Sequence, residues 1–140
     1  MNILVVGSSV IDLFLTIDKS HTKIEDDRVS LLLGDKIPSE IKKLALGGNG
    51  ANVSVGLTRL TVPTTFYTYL GKDILSKEIE EKLTAEGVEL IAKKGENENS
   101  PLHLIFDFDS DRIIFSHYPK VNHSFNYGGD LQFNYVFLNS

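Results

Sequence analysis

"LALGGNGANVSVGLTRL", residues 44–60, decides how the rest of the chain is read. A short apolar run meets Gly47, Gly48, Asn49 and Gly50, and from there Ala51, Val53, Val55, Leu57 and Leu60 mark a largely apolar helix with Asn52 in its first turn. Without a Cβ, glycine lets backbone bend sharply and lie close against a ligand or another strand. The first N–H groups of a helix have no partner inside it and point at whatever sits at its mouth. Asn49 and Asn52 each add a donor and an acceptor, which suits a polyhydroxyl molecule better than a bare phosphate. Close strand-to-helix packing would also account for the glycines, so the residue types alone leave both readings open.

Outward from this turn, the chain separates into two kinds of material. "NILVVG" (2–7) is a continuous β-branched run, as expected of a strand buried on both faces of a parallel sheet. "TTFYTYL" (64–70) reads as a strand, and a helix follows over 74–86, with Asp73 as its N-cap and Gly87 as its stop. In that helix Lys77/Glu81 and Glu78/Lys82 are spaced i,i+4. "VELIAKK" (88–94) is the next strand. The alternation strand–helix–strand–helix–strand over 44–94 predicts parallel βαβ units. By contrast, "IDLFLTID" (11–18) and "RVSLLL" (28–33) read as half-exposed strands separated by the charged loop 19–27. "GDKIPSEIKK" reads as a turn-rich connection, and "LHLIFDFD" with "RIIFSHY" as a hairpin. These segments predict a small antiparallel sheet beside the parallel one. The last run, "NYVFLNS", is a strand with no crossover helix after it to cover it, so the chain is expected to be the first part of a larger α/β protein.

Composition narrows the function. With 140 residues, 41% of them hydrophobic, the chain can bury a core. A net charge of −5 argues against a nucleic-acid surface. No cysteine is present, which excludes disulfides, thiol catalysis and thiolate zinc sites. The apolar N-terminus lacks a basic start and is interrupted by Gly7 and Asp12, so neither a signal peptide nor a membrane span is expected, and a cytoplasmic location is the default. The sequons at Asn52 and Asn122 therefore carry no meaning here. His21, His103, His117 and His123 show no metal-ligand spacing and read as surface residues. Asp107, Asp109 and Asp111 alternate but lack the glycine and glutamate of a calcium loop. A phosphate-binding P-loop fails for want of a Gly-Lys-Ser/Thr ending. A dinucleotide fingerprint is half met: Gly48-Asn49-Gly50 supplies two glycines, Val53 stands at the third, and Asp73 lies near the expected distance.

"GGNGANVSVGLTRL" resembles the first signature of the ribokinase/PfkB family of sugar and nucleoside kinases, a Gly-Gly-x-x-x-Asn turn into a helix. Three more blocks fall in the same order. "VVGSSVIDLFLTID" resembles the family's opening strand with an aspartate entering the lid. "YTYLGKDILSKEIEEKLTAEGVEL" resembles its Gly-x-Asp helix leading to Gly-Val, and "DSDRIIF" its lid hairpin. The resemblance spans the chain and implies a Rossmann-like α/β fold with a small β lid, residues 1–140 forming the N-terminal part of one kinase domain and roughly 12–46 and 100–118 forming the lid. It implies that Asp12 hydrogen-bonds substrate hydroxyls and that Gly47, Gly48 and Asn52 line the sugar pocket. Asn49 stands where ribokinases have lysine and Val10 where they have an asparagine, departures that argue against ribose. ATP and Mg2+ are implied as cofactors of the whole enzyme, and the lid's apolar side (Phe106, Phe108, Phe115) as a dimer surface.

The family's catalytic Gly-Ala-Gly-Asp turn does not occur in these 140 residues. "YGGD" (127–130) ends in Gly-Asp but precedes a strand rather than opening a helix, so it reads as a turn. The chain alone is thus expected to hold a substrate half-site without phosphoryl transfer. The competing readings are a non-catalytic sugar-binding or dimerisation module and a dinucleotide-binding domain.

Overall fold

The computed structural model describes residues 2–96, 98–108, 111–120 and 132–139. "YGGD", Asp109, Asn122 and His123 lie outside the described residues. Two four-stranded sheets organise the chain. The first is parallel, in the order β10-β1-β6-β7, from β1 (Ile3–Val6), β6 (Thr64–Leu70), β7 (Glu89–Lys94) and β10 (Tyr135–Leu138). The second has the order β5-β2-β8-β9, from β2 (Val10–Ile17), β5 (Ser39–Gly47), β8 (Leu102–Phe108) and β9 (Asp111–His117). A small hairpin, β3 (Lys23–Glu25) with β4 (Arg28–Ser30), projects from the second sheet's β2–β5 connection.

The apolar runs land where their composition puts them. Phe66 and Leu70 of β6 meet Val5 of β1, Ala51 of helix α1 (Asn49–Arg59), and Ile79 and Leu83 of helix α2 (Ile74–Ala85) in one buried core. Ile11 of β2 enters the same cluster, so the second sheet is anchored by its first residues. The edge strand β10 is exposed along its whole length.

Four expectations change. The strand before α1 was expected to open a parallel βαβ unit; instead β5 pairs antiparallel with β2 and belongs to the second sheet. The parallel crossovers are β1 to β6 through α1, and β6 to β7 through α2. Residues 39–43, expected within a turn-rich connection, are strand. Their side chains are exposed, so the ladder to β2 rather than apolar burial makes them extended. The second sheet is also mixed: β2·β5 and β8·β9 are antiparallel, whereas β2·β8 is parallel. In the 28–33 segment only 28–30 is strand.

Asp73 caps α2 as its spacing predicts, accepting from Ser76 N–H at 2.9 Å, and Gly87 ends the helix region at φ 76°. The carboxylate does more than cap. It also accepts from Ser100 N–H (2.7 Å) and pairs with the Ser100 hydroxyl (2.7 Å), which in turn accepts from Gly71 N–H (3.0 Å). A Cβ on Gly71 would overlap Glu98 O, so this turn closes only around glycine. The network ties the end of β6 to the entry of β8, where Pro101 O accepts from Ile11 N–H.

Partial burial pushes the Asp73 carboxyl up, but the Ser100 and Ser76 hydrogen bonds outweigh it and hold it below its ordinary value. A lowered folded-state value means stabilisation that is present above the unfolded value of 3.8 and lost as pH falls through the folded one. Asp73→Ala is therefore expected to cost about 2 kcal/mol at neutral pH, from the lost cap and the orphaned Ser100 groups. As pH falls below 3.8 and through the lower folded-state value, the gap between variant and parent should narrow. Thermal melts across that range test this, and a constant gap at all pH values would rule it out.

Candidate functional site

The residues expected to form the site gather where the second sheet meets the mouth of α1. Asp12 sits on β2 between Ala45 of β5 and His103 of β8. Its carboxylate lies over Gly47: a Cβ built there would overlap Asp12 Oδ2. Gly47 is therefore glycine because the acid occupies the space beside it. Gly48 follows as the N-cap of α1 with φ 94°, and its carbonyl accepts from Asn52 N–H at 2.9 Å. The turn thus places Asp12 beside the two residues that lead into the helix, with Asn49 and Asn52 exposed in its first turn.

The other glycines of this region are structural. A Cβ on Gly50 would come within 2.8 Å of Gly7 Cα and 2.7 Å of Phe66 Cε2, so Gly50 lets α1 seat directly on the end of β1. Ala51 N–H donates to Ser8 O at 3.1 Å, so one of the helix's open N–H groups is spent on the β1–β2 loop and not on a ligand. Ser9 and Thr68 hydroxyls meet at 3.0 Å in the interior and fix the same loop to β6. Val10 is fully buried and offers no polar atom to a ligand.

One feature of the site escapes the sequence. His103, read there as a surface residue, places Nδ1 2.8 Å from Asp12 Oδ1, with both side chains about one-fifth exposed (18% and 21%). Its Nε2 lies 2.9 Å from the Tyr118 hydroxyl, and the two rings meet edge-on at 5.3 Å. Burial and then the nearby Asp12 carboxylate push the Tyr118 phenol up, so it remains an O–H at neutral pH. The missing signal is the parallel β2·β8 register, which joins residues 91 apart.

The half-met dinucleotide pattern finds no support in this geometry. A Rossmann turn extends the C-terminal end of a parallel strand, whereas the strand entering Gly47-Gly48 is antiparallel and belongs to the second sheet. Among the described residues no three His, Cys, Asp or Glu side chains converge on a metal position, and no helix is long and apolar enough to cross a membrane.

The profile of the pfkB family carbohydrate kinases matches residues 2–126. The chain belongs to that family. No curated protein matches. Solved structures agree on the fold. A ribokinase from Thermotoga maritima superposes with a TM-score of 0.63 at 25% identity, over 84% of this chain and 36% of its own length. A carbohydrate kinase from Agrobacterium tumefaciens gives 0.67 at 21%, over 84% and 36%. A fructokinase from Xylella fastidiosa, solved with bound ATP, gives 0.62 at 19%, over 84% and 33%. The pfkB-family chain described here thus spans about a third of the length of these relatives.

Proposed function

We propose that this chain supplies the sugar-binding half-site of a pfkB-type kinase, in which the γ-phosphoryl group of ATP is transferred to a hydroxyl of a sugar or nucleoside. The observation that carries the reading is the Asp12 carboxylate held over Gly47 at the mouth of α1. An ionised carboxylate there accepts hydrogen bonds from substrate hydroxyls. Gly47 makes room for that carboxylate and Gly48 for the bend into α1, and the exposed Asn49 and Asn52 side chains stand in the first turn as partners for further hydroxyls. Valine at position 10 and asparagine at 49 stand where ribokinases have asparagine and lysine, which argues against ribose.

ATP supplies the phosphoryl group, and neither it nor Mg2+ is assigned to residues of this chain. The role of Asp12, Gly47, Gly48, Asn49 and Asn52 is to bind and orient the acceptor, and the 140 residues by themselves are expected to be inactive. A cytoplasmic location suits an enzyme that consumes ATP. On one face of the β8–β9 hairpin the exposed Ile113 and Phe115 stand beside Phe106, an apolar surface suited to a second copy.

The test is calorimetric titration of the natural gene product with D-fructose, D-ribose and adenosine, followed by an ATP-consumption assay and sedimentation. Sugar or nucleoside binding, ATP turnover and a dimer are expected, with D-ribose the weaker of the sugars. Absence of both binding and turnover would sink the kinase reading, and a monomer would sink the lid interface alone.

A further inference from the structure

We propose that His103 is a positioning residue for the sugar-binding carboxylate, held in one tautomer by Tyr118 so that only one oxygen of Asp12 is left to address the substrate. This rests on the sugar-site reading above. Asp12 is an acceptor, so the 2.8 Å contact requires His103 Nδ1 to carry a proton and donate it to Oδ1. With Nδ1–H committed, the neutral ring has Nε2 as an acceptor, and the Tyr118 hydroxyl 2.9 Å away donates to it. Both imidazole nitrogens then have a partner.

The arrangement has a directional consequence. Oδ1 faces β8 and is occupied by His103, while Oδ2 fills the space over Gly47. A substrate hydroxyl must therefore reach the acid from the α1 side, over the glycine turn. A carboxylate free to rotate would offer both oxygens in several orientations and lose entropy on binding; pinning one oxygen removes that loss beforehand. Both partners come from the lid sheet, His103 from β8 and Tyr118 just after β9, so the lid does more than cover the pocket: it aims the acid.

Conservative variants separate positioning from mere packing. An asparagine side chain can place its amide N–H near the position of His Nδ1, whereas glutamine places its amide near Nε2. In the natural gene product, His103→Leu should raise KM for D-fructose about tenfold with kcat changed by less than about threefold, following from lost ground-state and transition-state binding in equal measure. His103→Asn should recover most of that loss and His103→Gln should not; Tyr118→Phe should show a smaller rise in KM of about threefold, because only the outer bond is removed. Should D-fructose not be turned over, the same series is read as the dissociation constant for whichever of D-fructose, D-ribose or adenosine binds. Nitrogen-15 NMR of labelled histidine at neutral pH should report the Nδ1–H tautomer at His103.

Equal KM values for Leu, Asn and the parent would overturn the proposal while leaving the sugar site intact. So would an Nε2–H tautomer in the parent protein. Failure of the parent to bind any of the three ligands would overturn both readings, and that outcome is distinct from the first two.

Discussion

Gly48→Ala is expected to destabilise the protein by about 3 kcal/mol. Two independent causes add. Gly48 has φ 94° and ψ 138°, a conformation that side-chain-bearing residues rarely adopt and that costs them on the order of 1–2 kcal/mol. A Cβ at that position would also lie 2.6 Å from Ser8 O and 2.8 Å from Ser9 Cα. Both are backbone atoms of the β1–β2 loop, so no side-chain rotation relieves the overlap; the loop or the helix must move. That loop carries the Ser9–Thr68 hydrogen bond and leads two residues later into Val10 and Ile11, both fully buried. Strain therefore reaches the core.

Gly56→Ala is the internal comparison. Gly56 lies inside α1, and a Cβ there would meet nothing within 4 Å. Alanine is the better helix former by about 1 kcal/mol, so this variant should be more stable than the parent. Urea denaturation of the two variants of the natural gene product gives the answer directly. Opposite signs are expected. A neutral Gly48→Ala would mean that the turn relaxes freely, and the close seating of α1 on the β1–β2 loop would then not hold it in place.

The contrast between these glycines also shows what a sequence can disclose. "TTFYTYL" and the 74–86 helix were legible almost to the residue, because β-branched content, an Asp cap and a Gly stop are local signals. The glycine turn was legible as a turn into a helix, but which glycines serve packing and which make room for the acid was not. Gly50 faces Gly7 and Phe66, and Gly47 faces Asp12; these partners are set by the fold, not by neighbours in the chain. β5 was misread for the same reason. "SEIKK" has no apolar face to bury, and only its pairing with β2 makes it a strand. His103 had no motif around it; a parallel register between strands 91 residues apart brought it to Asp12. Local chemistry is written locally, and a site shared by two sheets is not.

Asp12→Asn should weaken sugar or nucleoside binding by about 100-fold while leaving stability within about 1 kcal/mol of the parent. The replacement has the same shape, so the room over Gly47 is filled as before. Its amide oxygen still accepts from His103 Nδ1, which keeps the lid contact. What disappears is the charge, together with acceptor capacity at the oxygen that points over the turn, because that position becomes an N–H2 donor. Hydrogen bonds to a charged acceptor contribute about 1.5–3 kcal/mol each, and a donor facing substrate hydroxyls in its place is a partial mismatch. A loss of about 2.7 kcal/mol corresponds to the 100-fold change. Calorimetry with the best of D-fructose, D-ribose and adenosine, alongside a melting curve, separates the two effects. Binding that survives the substitution unchanged would remove the carboxylate from the site. The glycine turn would then be explained by packing alone: Gly48 and Gly50 face backbone atoms that leave no room for a side chain, and Gly47 faces Asp12 itself.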